Sequence, residues 1–288
     1  MVVLLYVDDI LLCVQGNVKA HLDKVKNALK SKYKITDLGS AQQYVGITIR
    51  QSSTQIILSQ ASYFLTLLKR FGLQDCNRHL TPLEPSSRTK TDSPFLSPIE
   101  VKTYQAIVGS IMYLMLANRP DLAYCISVLS KHAACPQEHH LAMAKRTLRY
   151  LRKTALLSLV YTKAQPSPTA LQSSCWPPTI GFTDSDWAGD PVDRCSTGAF
   201  VFLCSETAVS WKSKKKSLIA LSTTEAEYVA ASEASKEAVW LRRILSEIYR
   251  TLMSHESFSF TAPPITLYID NHAVIELIKN PRFHEHTK

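Results

Sequence analysis

The sequence predicts a mixed α/β chain of the α+β kind, and three observations carry that expectation. Short apolar blocks of strand length open the chain and return between residues 180 and 221. Apolar residues at helical spacing fill most of the region between, and again after residue 224. A stretch rich in Pro, Ser and Thr over residues 162–179, TKAQPSPTALQSSCWPPT, has no periodicity and divides the two parts. Strands followed by a helix, a strand and a helix in the second part read as one mixed-sheet layer fold. The expected division is 1–80, a helical region 81–161, a linker 162–179 and a mixed-sheet domain 180–288.

Taken in order, MVVLLYVDDILLCV reads as a hairpin, an acidic pair at the bend of two apolar strands. Val18, Leu22, Val25, Leu29 and Tyr33 recur at helical spacing, with Asn17 placed to cap. Gln43 to Arg50 and Gln55 to Ser59 look like two strands joined by a polar turn. A helix from Ser59 to Phe71 follows, and Gly72 ends it. Residues 81–98 read as a loop that closes in a helix start: Ser97, Pro98 and Glu100 form a capping-box pattern. Three helices are expected at about 99–117, 120–133 and 137–154. The third is two-faced, with Leu141, Ala144, Leu148 and Leu151 on an apolar stripe and Lys145, Arg149 and Arg152 on a basic one.

Beyond the linker, GFTDSDWA, TGAFVFLC, the stretch around AVSWKS and one near SLIAL read as strands. A long helix from about Thr224 to Tyr249 is opened by Ser222 and Glu225, and a strand ITLYID and a helix HAVIELIKN complete the order.

The chain has 288 residues, 45% of them hydrophobic and 20% charged, enough for a sizeable core. Its net charge of +9 is uneven. Residues 1–165 carry 21 Lys and Arg against 10 Asp and Glu, whereas residues 166–288 carry 12 against 14. A basic half beside a slightly acidic one suits a nucleic-acid track next to a metal-dependent site, although a solvated basic surface explains the charge equally well. The seven cysteines are scattered, with no zinc-ligand spacing. That usage, and an apolar N-terminus without a basic flank, suggest an intracellular protein, cytoplasmic or nuclear, neither secreted nor held in a membrane. Oligomeric state is not legible.

Three acidic residues stand at the ends of expected elements: Asp184 after IGFT, Glu227 in the first turn of the long helix, and Asp270 at the end of ITLYID. Phosphodiester hydrolysis with two cations, held roughly 3.5–4 Å apart, needs carboxylates converging from different strands and a helix. Hard Mg²⁺ or Mn²⁺ accepts such oxygen ligands. Taken singly, Asp184 or Asp186 also suits a turn, Asp270 a helix cap, and Glu225 or Glu227 a helix N-terminus.

In their order, YVDD, GFTDSDWAGDP, SWKSKKK, LSTTEAEYVA, EAVWLRRIL and YIDNHAVIELIKNP resemble the Pol polyprotein of copia-type LTR retrotransposons. The likeness covers essentially all 288 residues: the end of a reverse transcriptase palm, helical thumb and connection, and a ribonuclease H domain. It implies that Asp8 and Asp9 correspond to the metal-binding aspartates of the polymerase hairpin. It likewise implies that Asp184, Glu227 and Asp270 are ribonuclease H carboxylates for a two-metal Mg²⁺ or Mn²⁺ site, with Asp186 and Glu225 as non-catalytic neighbours. Lys212, Lys214, Lys215 and Lys216 would then lie near the backbone of an RNA–DNA hybrid, with Lys145, Arg149 and Arg152 as further phosphate contacts. Two departures touch no catalytic acid: Cys195 stands where relatives carry a second Arg, and Gly198 sits one place early.

The family's palm has an earlier aspartate upstream of YVDD, and its ribonuclease H a fourth carboxylate beyond HTK. The expectation is therefore a fragment cut at both ends, with polymerisation lost and metal-dependent cleavage of RNA in hybrids weak at most. Two other outcomes stay open: a non-catalytic nucleic-acid-binding protein, and a transposon remnant without function.

Overall fold

The computed structural model describes residues 1–14, 19–84, 93–163, 178–252 and 262–280. Within them the chain is mixed α/β, as expected, with three sheets. β1 (Val2–Tyr6) and β2 (Asp9–Cys13) form the expected hairpin, Tyr6 opposite Asp9, with Val7 and Asp8 in the turn. This ribbon pairs with no other described strand, and Leu5, Tyr6 and Val7 are 69%, 57% and 80% exposed. α1 (Lys19–Lys32) forms where the next helix is expected but has no buried residue, and Asn17 and Val18 lie outside the described residues.

The single strand expected at 43–50 is instead a tight hairpin of β3 (Gln43–Tyr44) and β4 (Ile47–Gln51). Val45 and Gly46 turn the chain with φ of 47° and 71°. The Tyr113 hydroxyl donates to the Val45 carbonyl at 2.6 Å, and it occupies the space where a Cβ on Gly46 would stand. A period-two pattern continues across such a turn, which is why the sequence hid it. β5 (Gln55–Ser59) pairs with β4, and α2 (Ala61–Arg70) follows, ended by Gly72 at φ 63°.

α3 (Pro98–Asn118) starts as expected. The backbone N–H and hydroxyl of Ser97 both donate to the Glu100 carboxylate, at 3.0 and 2.7 Å. It is the central helix, burying Tyr104, Ile107, Ile111 and Leu114 against α2, α4 (Ala123–Ser130) and α5 (Glu138–Lys153). The apolar stripe of α5 is buried as read. Then β6 (Leu159–Thr162), which the sequence reading left inside a helical region, returns to pair antiparallel with β5. The strands before and after the helices therefore share one sheet, β3-β4-β5-β6. Most of the expected linker, residues 164–177, lies outside the described residues.

The last sheet has the order β10-β7-β8-β9. β7 (Thr179–Ser185), β8 (Thr197–Cys204) and β9 (Thr207–Lys215) are antiparallel neighbours, and β10 (Thr266–Tyr268) lies parallel to β7. The strand expected at SLIAL does not form. Leu218, Ile219 and Leu221 are 72%, 58% and 85% exposed, and the Leu221 N–H donates to Glu225 at 2.7 Å, committing this segment to the start of α6 (Thr223–Leu252). α6 covers one face of the sheet, with Phe200, Phe202, Ala234 and Leu241 forming the core between them. The other face meets the helical layer: the Trp211 indole N–H donates to the Met115 carbonyl at 3.0 Å, and Lys131 pairs with Asp190 at 3.1 Å. α7 (His272–Lys279) ends the described chain. None of the described helices is long and apolar enough to cross a membrane, and the six described cysteines form no disulfide.

Where α5 begins, three imidazoles meet. His140 is buried, its ring 3.7 Å from that of His132 and 3.8 Å from that of His139, and its Nδ1 accepts from the Gln137 N–H at 3.0 Å. Burial, then the two neighbouring imidazoles, push the His140 pKa down to about 3. The neutral form is the folded form. Its contribution to stability is complete above the ordinary histidine pKa near 6.5, and it falls by up to about 1.4 kcal/mol per pH unit below that.

Two outcomes follow from these contacts. Gly46→Ala lowers stability by roughly 1–3 kcal/mol in denaturant titrations, because it meets both a positive φ and the Tyr113 hydroxyl. Combined with Tyr113→Phe, the losses are less than additive. In melting experiments at pH 7 and 5, His140→Gln keeps an acceptor for the Gln137 N–H but flattens the acid-side loss. An unchanged pH slope would count against the histidine assignment.

Candidate functional site

The site is built on β7. Its alternation sends Gly181 and Thr183 toward α6, and Phe182 and Asp184 toward the helical layer. Gly181 is required here, since a Cβ would collide with the fully buried Phe202 ring. In the parallel pairing Tyr268 stands opposite Phe182, and their rings stack with centroids 5.2 Å apart. Carried two residues further, the same register sets Asp270 level with Asp184. Asp184 is exposed, and one of its oxygens accepts from the Ser185 N–H at 2.7 Å.

Asp270 lies just beyond β10, before Asn271, the N-cap of α7. The Asn271 side chain works in two directions: its Oδ1 accepts from the Val274 N–H at 3.2 Å, and its Nδ2 donates to Glu227 Oε1 at 3.1 Å. Glu227 sits in the second turn of α6, and its other oxygen, Oε2, is buried with no hydrogen-bond partner among the described residues. Asp184, Asp270 and Glu227 thus come to one end of the β7–β10 pair through register and one amide. They do not close into a ligand set: among the described residues no three His, Cys, Asp or Glu side chains are gathered closely enough to hold a metal ion. The donor types, all carboxylate oxygens with one orphaned, are those a hard divalent cation takes.

The acidic neighbours have structural tasks. Asp186 accepts from the Thr197 N–H where β8 begins, and Glu225 accepts from Leu221 while its own N–H donates to Ser222 Oγ at 3.1 Å. On the helical side, Pro120, Asp121 and Tyr124 face Phe182 and Asp184 across a cleft of about 420 Å³.

The basic residues separate. Lys212, Lys214 and Lys216 lie on the α6 side of β9 and just past it. Lys212 is 3.7 Å from Glu233, while burial and the cations of Lys212, Lys214 and Lys236 hold the Lys216 pKa below the usual lysine range. Lys215 stands apart from them: it points to the other face and is bound to Asp190 at 2.7 Å and also to Asp193. Those partners raise its pKa despite partial burial, and Asp190 is held well below the carboxylate range by Lys215 and Lys131. On α5, Lys145 is exposed, but Arg152 donates to the Cys76 carbonyl, and Arg149 has its Nε buried without a partner among the described residues. Arg152 thus fastens the 73–84 segment, helped by Arg146, which lies outside the expected stripe and donates to Thr81 at 3.0 Å. Asp8 and Asp9 stand at the exposed tip of the first hairpin. Asn271 was also missed, though its place directly after Asp270 and before an apolar helix is an N-cap signal.

Comparison with known proteins places the chain. Residues 1–85 match the family model described as reverse transcriptase (RNA-dependent DNA polymerase). The chain is 35% identical to the Retrovirus-related Pol polyprotein from transposon TNT 1-94 of Nicotiana tabacum, over 100% of this chain and 20% of that protein. It is 32% identical to the corresponding protein from transposon RE1 of Arabidopsis thaliana, over 99% of this chain and 18% of that one. It is also 34% identical to the putative transposon Ty5-1 protein of Saccharomyces cerevisiae, over 81% of this chain and 72% of that one. It spans about a fifth of the length of the two plant polyproteins. No solved structure matches. Whole-chain identity to these polyproteins, together with the reverse-transcriptase match at the N-terminus, establishes that the chain belongs to the Pol polyproteins of copia-type retrotransposons.

Proposed function

We propose that residues 180–288 form a ribonuclease H-like unit that cuts the RNA strand of an RNA–DNA hybrid with a divalent cation, following palm, thumb and connection segments of a reverse transcriptase. The observation that carries this reading is the arrival of Asp184, Asp270 and Glu227 at one end of the sheet, from two parallel neighbours and their crossover helix. Asp184, Glu227 and Asp270 would hold Mg²⁺ or Mn²⁺. Bound there, such cations lower the pKa of a coordinated water and stabilise the leaving oxygen. Asn271 holds Glu227 by one oxygen and leaves Oε2 for a ligand. Lys212, Lys214 and Lys216 neutralise phosphates of the hybrid. Cleavage is weak at most. No turnover is assigned to Asp8 and Asp9.

A second reading, nucleic-acid binding without cleavage, is favoured by one observation: Lys145, Lys212 and Lys214 are exposed, and exposed cations bind phosphates without any metal. A labelled hybrid incubated with the full chain and Mg²⁺, Mn²⁺ or EDTA separates the two. The nuclease gives metal-dependent cleavage that falls roughly 100-fold or more in Asp184→Asn. Cleavage that persists in Asp184→Asn or in EDTA refutes the site. Binding that weakens steeply with salt, without cleavage, establishes the second reading instead.

A further inference from the structure

Trp187 lies three residues beyond Asp184, at the corner where β7 leaves the sheet, and no role described so far uses it. The residue is 49% exposed, yet its ring is not loose. The indole N–H donates to the Ala220 carbonyl at 3.0 Å, across a gap of 33 residues. The next residue, Ala188, is buried at φ 53°, and its N–H donates to Ser196 Oγ at 3.1 Å. The backbone is therefore held in an unfavourable left-handed conformation immediately after the ring, with the indole N–H tied down and about half of the residue open to solvent. Strain retained beside a candidate site asks for a functional reason.

The surroundings say what that open part meets. Ser196 also accepts from the Lys216 N–H at 2.7 Å, which ties the tryptophan corner to the end of the lysine run. Burial and the cations of Lys212, Lys214 and Lys236 hold the Lys216 pKa down, and Glu233 pairs with Lys212 at 3.7 Å and with Lys236 at 3.0 Å. Leu218, Ile219 and Leu221 stand exposed on the segment that bonds the indole. A rigid aromatic surface with an apolar rim beside clustered cations matches a ligand with flat rings and regularly spaced negative charges.

From this geometry we infer that Trp187 is a positioning residue for nucleic acid: its ring packs on a sugar–base unit of the strand whose phosphates the neighbouring lysines neutralise, setting the register of that strand past Asp184. This rests on the nucleic-acid reading above and adds a residue and a contact to it. The ring contributes packing, which tolerates any base and ignores salt. The lysines contribute the salt-dependent part.

The test is hybrid binding by the full chain in EDTA, measured by fluorescence anisotropy of a labelled hybrid across a salt series. Trp187→Phe and Trp187→Ala both lose the bond to Ala220, and only the second loses the ring. Trp187→Ala is expected to weaken binding at least about fivefold at every salt concentration with an unchanged salt slope, while Trp187→Phe stays within about threefold. Lys214→Gln with Lys216→Gln lowers the slope instead. Should Trp187→Ala fail to fold, the emission of wild type minus that of Trp187→Phe isolates Trp187, and hybrid addition quenches that difference. Equal binding by all three proteins, or a difference emission indifferent to hybrid, overturns the inference while leaving the lysine contacts standing. A wild-type chain that binds no hybrid overturns the nucleic-acid reading and this inference together.

Discussion

The three-residue parallel pairing of β10 with β7 is the constraint on which the candidate site depends. Parallel neighbours cannot be joined by a tight turn, so the chain between them must cross over. Here that crossover runs through two antiparallel strands and α6 before it returns. The pairing brings together residues 86 positions apart, Thr266 with Ile180, and so decides that Asp270 stands level with Asp184. It is made possible on the α6 side by Gly181, whose missing side chain is replaced by the Phe202 ring. On the other side it is fastened by the Phe182–Tyr268 stack. A shift of one residue would turn Asp270 to the opposite face.

The sheet is covered on both faces, and the two covers do different things. α6 supplies the apolar core and carries Glu227. The helical layer meets the opposite face through directed polar contacts that include the Trp211–Met115 bond and the Lys131–Asp190 pair. Interfaces of that composition resemble those between protein partners more than the interior of one core. Asp184 opens into the seam, so the cleft beside it is shaped by residues from both parts of the chain.

Much of this was legible in the sequence where the signal was local. The Ser97–Pro98–Glu100 start, the stripe of Leu141, Ala144, Leu148 and Leu151, and the hairpin around Asp8 and Asp9 are short-range patterns, and each appears where its residues placed it. What was missed depended on distant partners. Gly46 became a turn because Tyr113, 67 residues on, fills the space above it. Leu159–Thr162 became a strand because β5 needed a neighbour. The SLIAL run failed to become one because the Leu221 N–H is taken by Glu225 at the start of α6. The site was half legible: the carboxylates follow from element ends, but Asn271, the commitment of Lys215 and the anchoring of Trp187 rest on contacts that no spacing reveals.

The return of β6 to β5 also sets an order of events during synthesis. Ile57 on β5 waits for Val160, 103 residues later, before its strand has a neighbour on that side. Loop closure over such a span is slow relative to helix formation. While the ribosome makes residues 98–153, the central helices can pack, but the strand beside them keeps an open edge able to pair with another chain. Only when residues 159–162 emerge is that edge covered, and β9 can then dock on β6 through the Thr207–Val160 and Tyr161–Ala208 bonds. The same four residues thus close the first sheet and give the second its landing place.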